Sequence, residues 1–440
     1  MRKHNSLLKT LKKQFLSINN SIESYFTKFK SFKAFLKKAN FSTHNRVFLA
    51  LGAVVILTLT YFLLPTLYNQ NTIQAEIENQ IFKKYRISIK FNHEIKYGLL
   101  PKPHFKTKNS SIIHDKKKIG NIENFKIFIS ADKLLNFDKV YIKDLVFKKT
   151  DFEIYKGDFV FFKNLLETEP NENKIIFKNS NIFFKDKDDE VLFINKIYNS
   201  KFYYDSKKLQ NTFIAKNEIF NSPYKLTIKN DKFNKKIFMK FNSKKFRLDI
   251  ENEIDYNDIT KKGLLDVLFI NKDTSLNYEI KSNSLSFFSE NGKNKYEGII
   301  DFKPFYFLSN FNYDGLSSKN LFNNDSIFIN LIKSEILKNK NLNALVNLNI
   351  RDITNIDELN NLSLKSKIEE GEISFSDSNI MWKEDLNIKF NESLLNYDNN
   401  ELNLIGKVSL EFKDLNNFYS SFQIKKNYRK KVNQIQIDFI

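Results

Sequence analysis

Residues 73 to 91 read IQAEIENQIFKKYRISIKF, and the hydrophobic period changes partway along that stretch. Ile73, Ile77 and Ile81 fall four apart, which puts them on one side of a helix, whereas Ile87, Ile89 and Phe91 fall two apart, which puts them on one side of a strand. The spacing predicts one short amphipathic helix over 71–82, with Asn71 or Thr72 as its N-cap. A strand then starts at Ile87, and a second is expected over Ile95 to Tyr97.

Downstream, the two-residue period recurs nearly to the C-terminus. Phe152 and Ile154 lie between Asp151, Glu153 and Tyr155, and Leu226 and Ile228 between Lys225, Thr227 and Lys229. Phe246, Leu248 and Ile250 alternate with Arg247, Asp249 and Glu251, and Val346, Leu348 and Ile350 with Asn347, Asn349 and Arg351. Each run is a strand with one apolar and one polar face. Asn179-Ser180-Asn181, Asn230-Asp231-Lys232 and Glu290-Asn291-Gly292-Lys293 read as turns, because Asn and Asp tolerate left-handed backbone in a chain with only ten glycines. Inside this strand-rich region 326–345 reads as helical, a linker or plug, and so does Ile356 to Leu362.

Residues 175–186, IIFKNSNIFFKD, and 373–384, ISFSDSNIMWKE, share one pattern, which aligns Phe177 with Phe375 and Phe184 with Trp382. Read as a strand, a tight turn and a returning strand, this is an internal repeat.

Upstream, Val47 to Leu64 is VFLALGAVVILTLTYFLL, eighteen residues without a charge. With its uncharged continuation to Gln70 it is long enough to cross a ~30 Å hydrocarbon core. The first 46 residues carry eleven Lys or Arg against one acid, Glu23, and no basic residue follows the run until Lys83. The positive-inside rule then places the N-terminus in the cytoplasm and the rest outside it. A cleaved signal peptide is disfavoured, because its charged region would be too long and PTLYNQN offers no small-x-small site.

The net charge of +20 divides into +10 on the short arm and +10 on the much longer exported part, so a nucleic-acid partner has little support. Leu7, Leu8, Leu11 and Phe15, then Phe26, Phe29, Phe32, Phe35 and Leu36, alternate with lysines in the arm. That segment is either an amphipathic surface for anionic lipid or a loose topology signal. Cysteine is absent, so an exported domain of this size is held by burial and backbone hydrogen bonds alone. Abundant Lys, Asn, Ile and Phe point to AT-rich codon usage.

The segment from Ile73 to Phe105 resembles the opening of the exported part of AsmA-like envelope proteins. There a membrane helix leads into a short amphipathic helix, a polar turn, two strands, and an apolar-Pro-x-Pro-x-apolar motif, here Leu100, Pro101, Lys102, Pro103, His104 and Phe105. Ala131 to Leu135 with Val140 to Leu145, and later Leu342 to Trp382, are similar to further parts of that family. The turn glycine usual after the helix is missing at Arg86. The resemblance implies a single-pass inner-membrane protein with a periplasmic β-groove related to TamB and other bridge-like lipid transfer proteins, tied to phospholipid traffic and outer-membrane biogenesis. A groove of ~25 strands at about 4.8 Å each would be on the order of 120 Å long, so a partner or a local role is implied.

The expected fold is therefore mainly β: a single N-terminal transmembrane helix, then an elongated, repetitive antiparallel sheet curved into a groove, with a few short helices. The divisions are a basic cytoplasmic arm (1–46), the span (47–68), a β-rich part (69–325), a helical linker or plug (326–345) and a second β-rich part (346–440). Two sheets packed as a sandwich would satisfy the same periodicity. The groove candidates are Phe152, Ile154, Phe177, Phe184, Phe246, Leu248, Ile250, Phe375 and Trp382, and the motif residues are Leu100, Pro101, Pro103 and Phe105, the prolines serving to stop a strand.

No GxSxG, HExxH or Walker-type loop occurs. His93, His104 and His114 match no metal spacing, and the cluster Asp186, Asp188, Asp189 and Glu190 lacks the glycine of a calcium loop, reading as a solvated hairpin tip. No cofactor is expected and an enzyme is the least supported class. The leading function is lipid handling, with membrane, phospholipid and envelope proteins as partners. The alternative is a scaffold for outer-membrane protein assembly, whose docking edge would be Gln434 to Ile440.

Overall fold

The computed structural model describes residues 43–440 except 138, 156–157, 167–170, 187, 256–261, 271, 282–283, 290–292, 303–304, 324–325, 335, 337–338 and 399–400. The patterned part of the basic arm and most of the turn at 290–293 lie outside the described residues. The chain divides into two compact units, 1–67 and 68–440.

In the first unit, helix α1 (Thr43–Leu63) runs into a 3-10 turn (Leu64–Leu67). Val47–Leu67 is long and apolar enough to cross a membrane. Phe48, Ile56 and Leu57 are exposed along with their neighbours, so the helix is apolar all round, the pattern of a span and not of a helix lying on water.

The second unit opens with α2 (Gln70–Tyr85). Its cap is Asn69 and not Asn71 or Thr72, because the Asn69 side chain accepts the backbone N–H of both, at 3.1 and 3.2 Å. Ile73, Ile77, Ile81 and Tyr85 form its buried stripe, and Gln80 donates to the Val140 carbonyl. Arg86 closes the helix in the left-handed region (φ 56°), its N–H bonding Phe82 O at 2.9 Å. Arginine thus occupies the position that glycine commonly takes.

Among the described residues a single sheet of 23 strands follows. The first set is β1 (Ser88–Lys90), β2 (Lys96–Gly98), β3 (His104–His114), β4 (Lys117–Ile129), β5 (Ile142–Ile154), β6 (Ile175–Lys185), β7 (Val191–Asp205) and β8 (Gln210–Ile219). Next come β9 (Ser222–Asp231), β10 (Lys236–Ser243), β11 (Leu248–Asp255), β12 (Lys262–Phe269), β13 (Lys272–Ile280), β14 (Ser284–Phe288), β15 (Lys295–Phe302) and β16 (Phe305–Ser317). The last are β17 (Asn343–Thr354), β18 (Leu359–Glu369), β19 (Glu372–Ser374), β20 (Ser378–Trp382), β21 (Leu386–Asp398), β22 (Glu401–Phe412) and β23 (Gln434–Phe439). Each strand from β3 on pairs with the next in sequence, except that β19 and β20 share one lane between β18 and β21, and β1 and β2 both pair with β3. One extended sheet forms, not two sheets packed as a sandwich.

Two pairings depart from the antiparallel expectation: β5–β6 and β16–β17 are parallel. A parallel pair needs a crossover that carries the chain back along the strand length. Helix α3 (Phe159–Leu166) lies in the first crossover, and α4 (Ser318–Phe322) and α5 (Ile327–Ile332) lie in the second. The second is tied down by side chains. Arg247 donates to Asn320 at 2.9 Å, Asn330 to Lys245 O at 2.8 Å and Asn339 to Leu192 O at 2.6 Å.

Three local expectations are corrected. Residues 175–185 are one continuous strand, and Asn179-Ser180-Asn181 is a kink inside it, with Asn179 at φ 47° and the register to β5 and β7 unshifted across it. Its counterpart, β19 and β20, is a single strand lane interrupted at Asp377 (φ 61°), because both pieces pair with β18 and with β21. The repeat is thus a strand repeatedly kinked at a left-handed residue, not a repeated hairpin. Ile356 to Leu362 is no helix: Leu359 N bonds Ile356 O at 3.0 Å in a tight turn, and β18 starts there. Phe246 lies in the turn between β10 and β11, so alternation begins at Leu248.

Candidate functional site

Register converts the alternation into rows that cross the sheet. On the apolar face Phe91, Phe125, Phe147 and Phe177 stack in succession, with centroid separations of 6.0, 4.5 and 4.8 Å. The last two match the spacing of adjacent strands, as same-face neighbours must. From Phe177 the row continues by cross-strand pairing through Ser200, Ala215, Leu226, Phe241, Ile250 and Val267.

Coverage of this face is uneven. Phe125 and Phe147 are fully buried, as are Ile77 and Ile81 of α2, and Phe161 of α3 packs on the neighbouring Phe152. Leu226, Phe241 and Ile250 are only half-buried. Further on, Leu321 of α4 joins a cluster with Tyr296, Tyr313, Leu316 and Ile350. At the C-terminal end the face opens: Phe390 pairs with Val408 and Val408 with Ile437, and Ile435 and Ile437 are 41% and 48% exposed.

The opposite face carries most of the charge, and several of its charges are paired across strands. Lys149 meets Glu123, Lys185 meets Glu153 and Lys196 meets Glu218, each at 2.9 Å; Lys236 pairs with Glu253 and Lys240 with Glu251. A depression of about 730 Å³ lies among Lys229, Lys236, Lys240, Glu251, Glu253 and Asp266 together with Phe238, Met239 and Leu264, so its lining is mixed.

The candidate lining residues fall into separate places. Phe152 and Ile154 are fully buried, with the Phe152 ring 6.3 and 5.8 Å from Phe161 and Phe162 of α3 and 5.5 Å from Phe177, so they are core beneath a helix. Phe184 stacks 4.3 Å from Phe193. Leu248 and Ile250 sit together on the half-open face of β11, opposite Phe269 and Val267. Phe375, in the β19–β20 turn, packs against the cluster of Ile368, Ile373 and Leu395. Trp382 ends β20 with its ring 5.6 and 5.2 Å from Phe418 and Phe422, at and just beyond helix α6 (Leu415–Ser421).

Of the motif residues, Leu100 is exposed and joined to Pro101 by a cis bond, whereas Phe105 is buried against Tyr97 and Tyr68. Pro103 O accepts Ile129 N at 3.1 Å. These residues shape the start of β3 and are remote in sequence and packing from the half-open face. Asp186 accepts the N–H of Asp188 and Glu190, both at 2.9 Å, closing the turn between β6 and β7. Among the described residues no group of three or more His, Asp or Glu side chains comes together.

A polar interruption of the apolar face has no signal in the alternation. The Tyr224 hydroxyl donates to Asn195 at 2.9 Å and accepts from Asn217 at 3.2 Å, with both asparagines buried. Burial pushes the Tyr224 hydroxyl up, against the opposing pull of Asn217 and Asn195. Only strand register shows that these three meet. The chain matches no protein-family profile and no curated protein sequence.

Proposed function

We propose that this protein is held in the inner membrane by α1, with its basic arm in the cytoplasm and its sheet in the periplasm, and that the sheet binds phospholipid and conducts it along an apolar groove in service of outer-membrane biogenesis. The observation that carries the reading is the cross-strand apolar row, half-open at Leu226, Phe241 and Ile250 and open again at Ile435 and Ile437. The resemblance of Ile73 to Phe105 to AsmA-like proteins supports the same reading, as does the charge asymmetry around the span.

Acyl chains laid against such a row leave water at about 0.8 kcal/mol per buried methylene, while head groups stay at the wet rim. Movement along the row then follows affinity and gradient, with no bond made or broken. The test is photo-crosslinking in growing cells, with a benzophenone amino acid at Phe241 or Ile250 and, as opposite-face controls, at Lys240 or Glu251. Phospholipid adducts at the first pair and not the second support the reading; equal or absent adducts reject it.

A second reading, a scaffold for outer-membrane protein assembly, is favoured by β23. Among the described residues this strand pairs only with β22, leaving a row of backbone groups open to strand addition. Crosslinks from Gln436 to a protein partner, with none to lipid from Phe241, would favour it.

A further inference from the structure

Several charges on the sheet are paired across strands, but those of the turn before β23 are not. Lys425-Lys426-Asn427-Tyr428-Arg429-Lys430-Lys431 places five cations in seven residues, around a 3-10 turn at Lys426–Tyr428. Among the described residues none of the five reaches a carboxylate, whereas Lys389, on the nearby β21, meets Glu411 at 2.7 Å. The turn has a defined shape. Arg429 Nε donates to Ile424 O at 2.9 Å, its guanidinium sits 5.9 Å from the Tyr419 ring centre, and the Tyr419 hydroxyl donates to Lys430 O.

Large apolar groups flank these cations. Tyr428 is 74% exposed and Phe422 55%, and Ile435 and Ile437 stand open on the adjoining strand. Phe422 is held 4.7 Å from Phe418 and 5.2 Å from Trp382, so one side of its ring is packed and the other is free. Cations at the surface with aromatic rings between them match a partner that is anionic outside and apolar just beneath. A lipid leaflet has that layering; a nucleic-acid duplex presents phosphate without an apolar layer under it.

We propose that the turn Lys425 to Lys431, with Phe422 and Tyr428, docks on an anionic lipid surface. The lysines and Arg429 meet headgroup phosphates, and the two rings enter the interface. This holds whether or not the apolar face of the sheet carries lipid, and the two ideas fail separately.

Because the chain has no cysteine, Asn427→Cys carrying an environment-sensitive fluorophore is a single reporter on this turn, blind to lipid bound by the basic arm. The full chain is placed in nanodiscs of neutral phosphatidylcholine and titrated with vesicles of phosphatidylcholine containing one-third phosphatidylglycerol. The expected result is a blue shift with these vesicles, none with pure phosphatidylcholine, and its loss at about 0.5 M salt. At roughly fivefold per charge, the combined variant Lys425→Gln, Lys426→Gln, Lys430→Gln and Lys431→Gln shifts the midpoint several hundredfold. Phe422→Ser with Tyr428→Ser keeps salt-sensitive capture but loses the blue shift. No shift with anionic vesicles, an equal shift with neutral ones, or a midpoint unmoved by the four glutamines overturns the proposal. A response to duplex DNA in place of vesicles also overturns it and assigns the turn to nucleic acid.

Discussion

Ser180 Oγ accepts the backbone N–H of Thr150 from the neighbouring strand at 3.0 Å, with both residues buried. Ser378 Oγ does the same for Lys365 N at 2.9 Å, in the other copy of the Ser-Asn-Ile pattern. At each left-handed kink the ladder is interrupted and leaves a donor without a strand partner, and in both places the serine hydroxyl fills the gap. This is the physical content of the repeat.

Ser180→Ala leaves the Thr150 amide buried without a partner, a loss of about 1–3 kcal/mol. Native-state hydrogen exchange at Thr150 should speed up by roughly tenfold or more, with amides of β20 and β21 unchanged. Ser378→Ala should show the mirror result at Lys365. Exchange rates at Thr150 equal to those of the parent would show that the bond contributes nothing.

Arg86 holds a left-handed backbone at φ 56°, a conformation that disfavours any side chain with a Cβ. Arg86→Gly should therefore stabilise the end of α2 by about 0.5–1 kcal/mol, seen as slower exchange in its last turn. A loss of stability would mean that the arginine side chain makes contacts outweighing the backbone strain.

Two glycines make room for aromatic rings. A Cβ on Gly263 would lie 2.5 Å from Tyr278 Oη, and one on Gly298 would lie 2.5 Å from Phe287 Cζ and 2.6 Å from the Leu308 carbonyl oxygen. A ring tip can swing aside, but backbone in a sheet cannot. Gly298→Ala should lower the melting temperature more than Gly263→Ala, with a cost on the order of 1–3 kcal/mol for the former. The reverse order would show that the Tyr278 ring is the more rigid neighbour.

Burial pushes the Glu218 carboxyl up, but donation from the Tyr198 hydroxyl and from Lys196 at 2.9 Å outweighs it and holds the group below its ordinary range. A carboxyl lowered by folding contributes stability that is fully present above its unfolded value, about 4.3, and is lost as pH falls through the lower folded value. Glu218→Gln should thus reduce stability at neutral pH and flatten its decline in acid, measured by urea titrations across that range. An acid limb of unchanged slope would place the titration elsewhere.

How much of this was legible depended on whether the deciding contact was local. The change of period at Ile87, the apolar run from Val47 and the two-faced strands are local, and the structure has them. Asn179-Ser180-Asn181 reads as a turn because Asn tolerates left-handed backbone in turns and in kinked strands alike; only the distant partner Thr150 tells them apart. The parallel pairs were illegible for the same reason, since nothing near Ile154 says that β6 will run beside β5 in the same direction. For the candidate site, periodicity placed Phe152 on the correct face but could not report that Phe161 and Phe162 lie over it. The Asn195, Tyr224 and Asn217 contacts sit where alternation calls for apolar residues, so pattern alone passed over them.

Nearly every strand of the sheet finds its partner in the next stretch of chain, and this makes assembly a matter of sequence order. A hairpin can close as soon as its second strand emerges, with little loop entropy to overcome, so the N-terminal strands can be in register before the C-terminal ones are available. Three times growth must wait, while Tyr155 to Lys174, Ser318 to Leu342 and Lys413 to Asn433 are laid down before β6, β17 and β23 can add to the edge. Like a zipper with three stops, the sheet confines damage to neighbours: a lesion in β12 loosens β11 and β13 and leaves β4 alone.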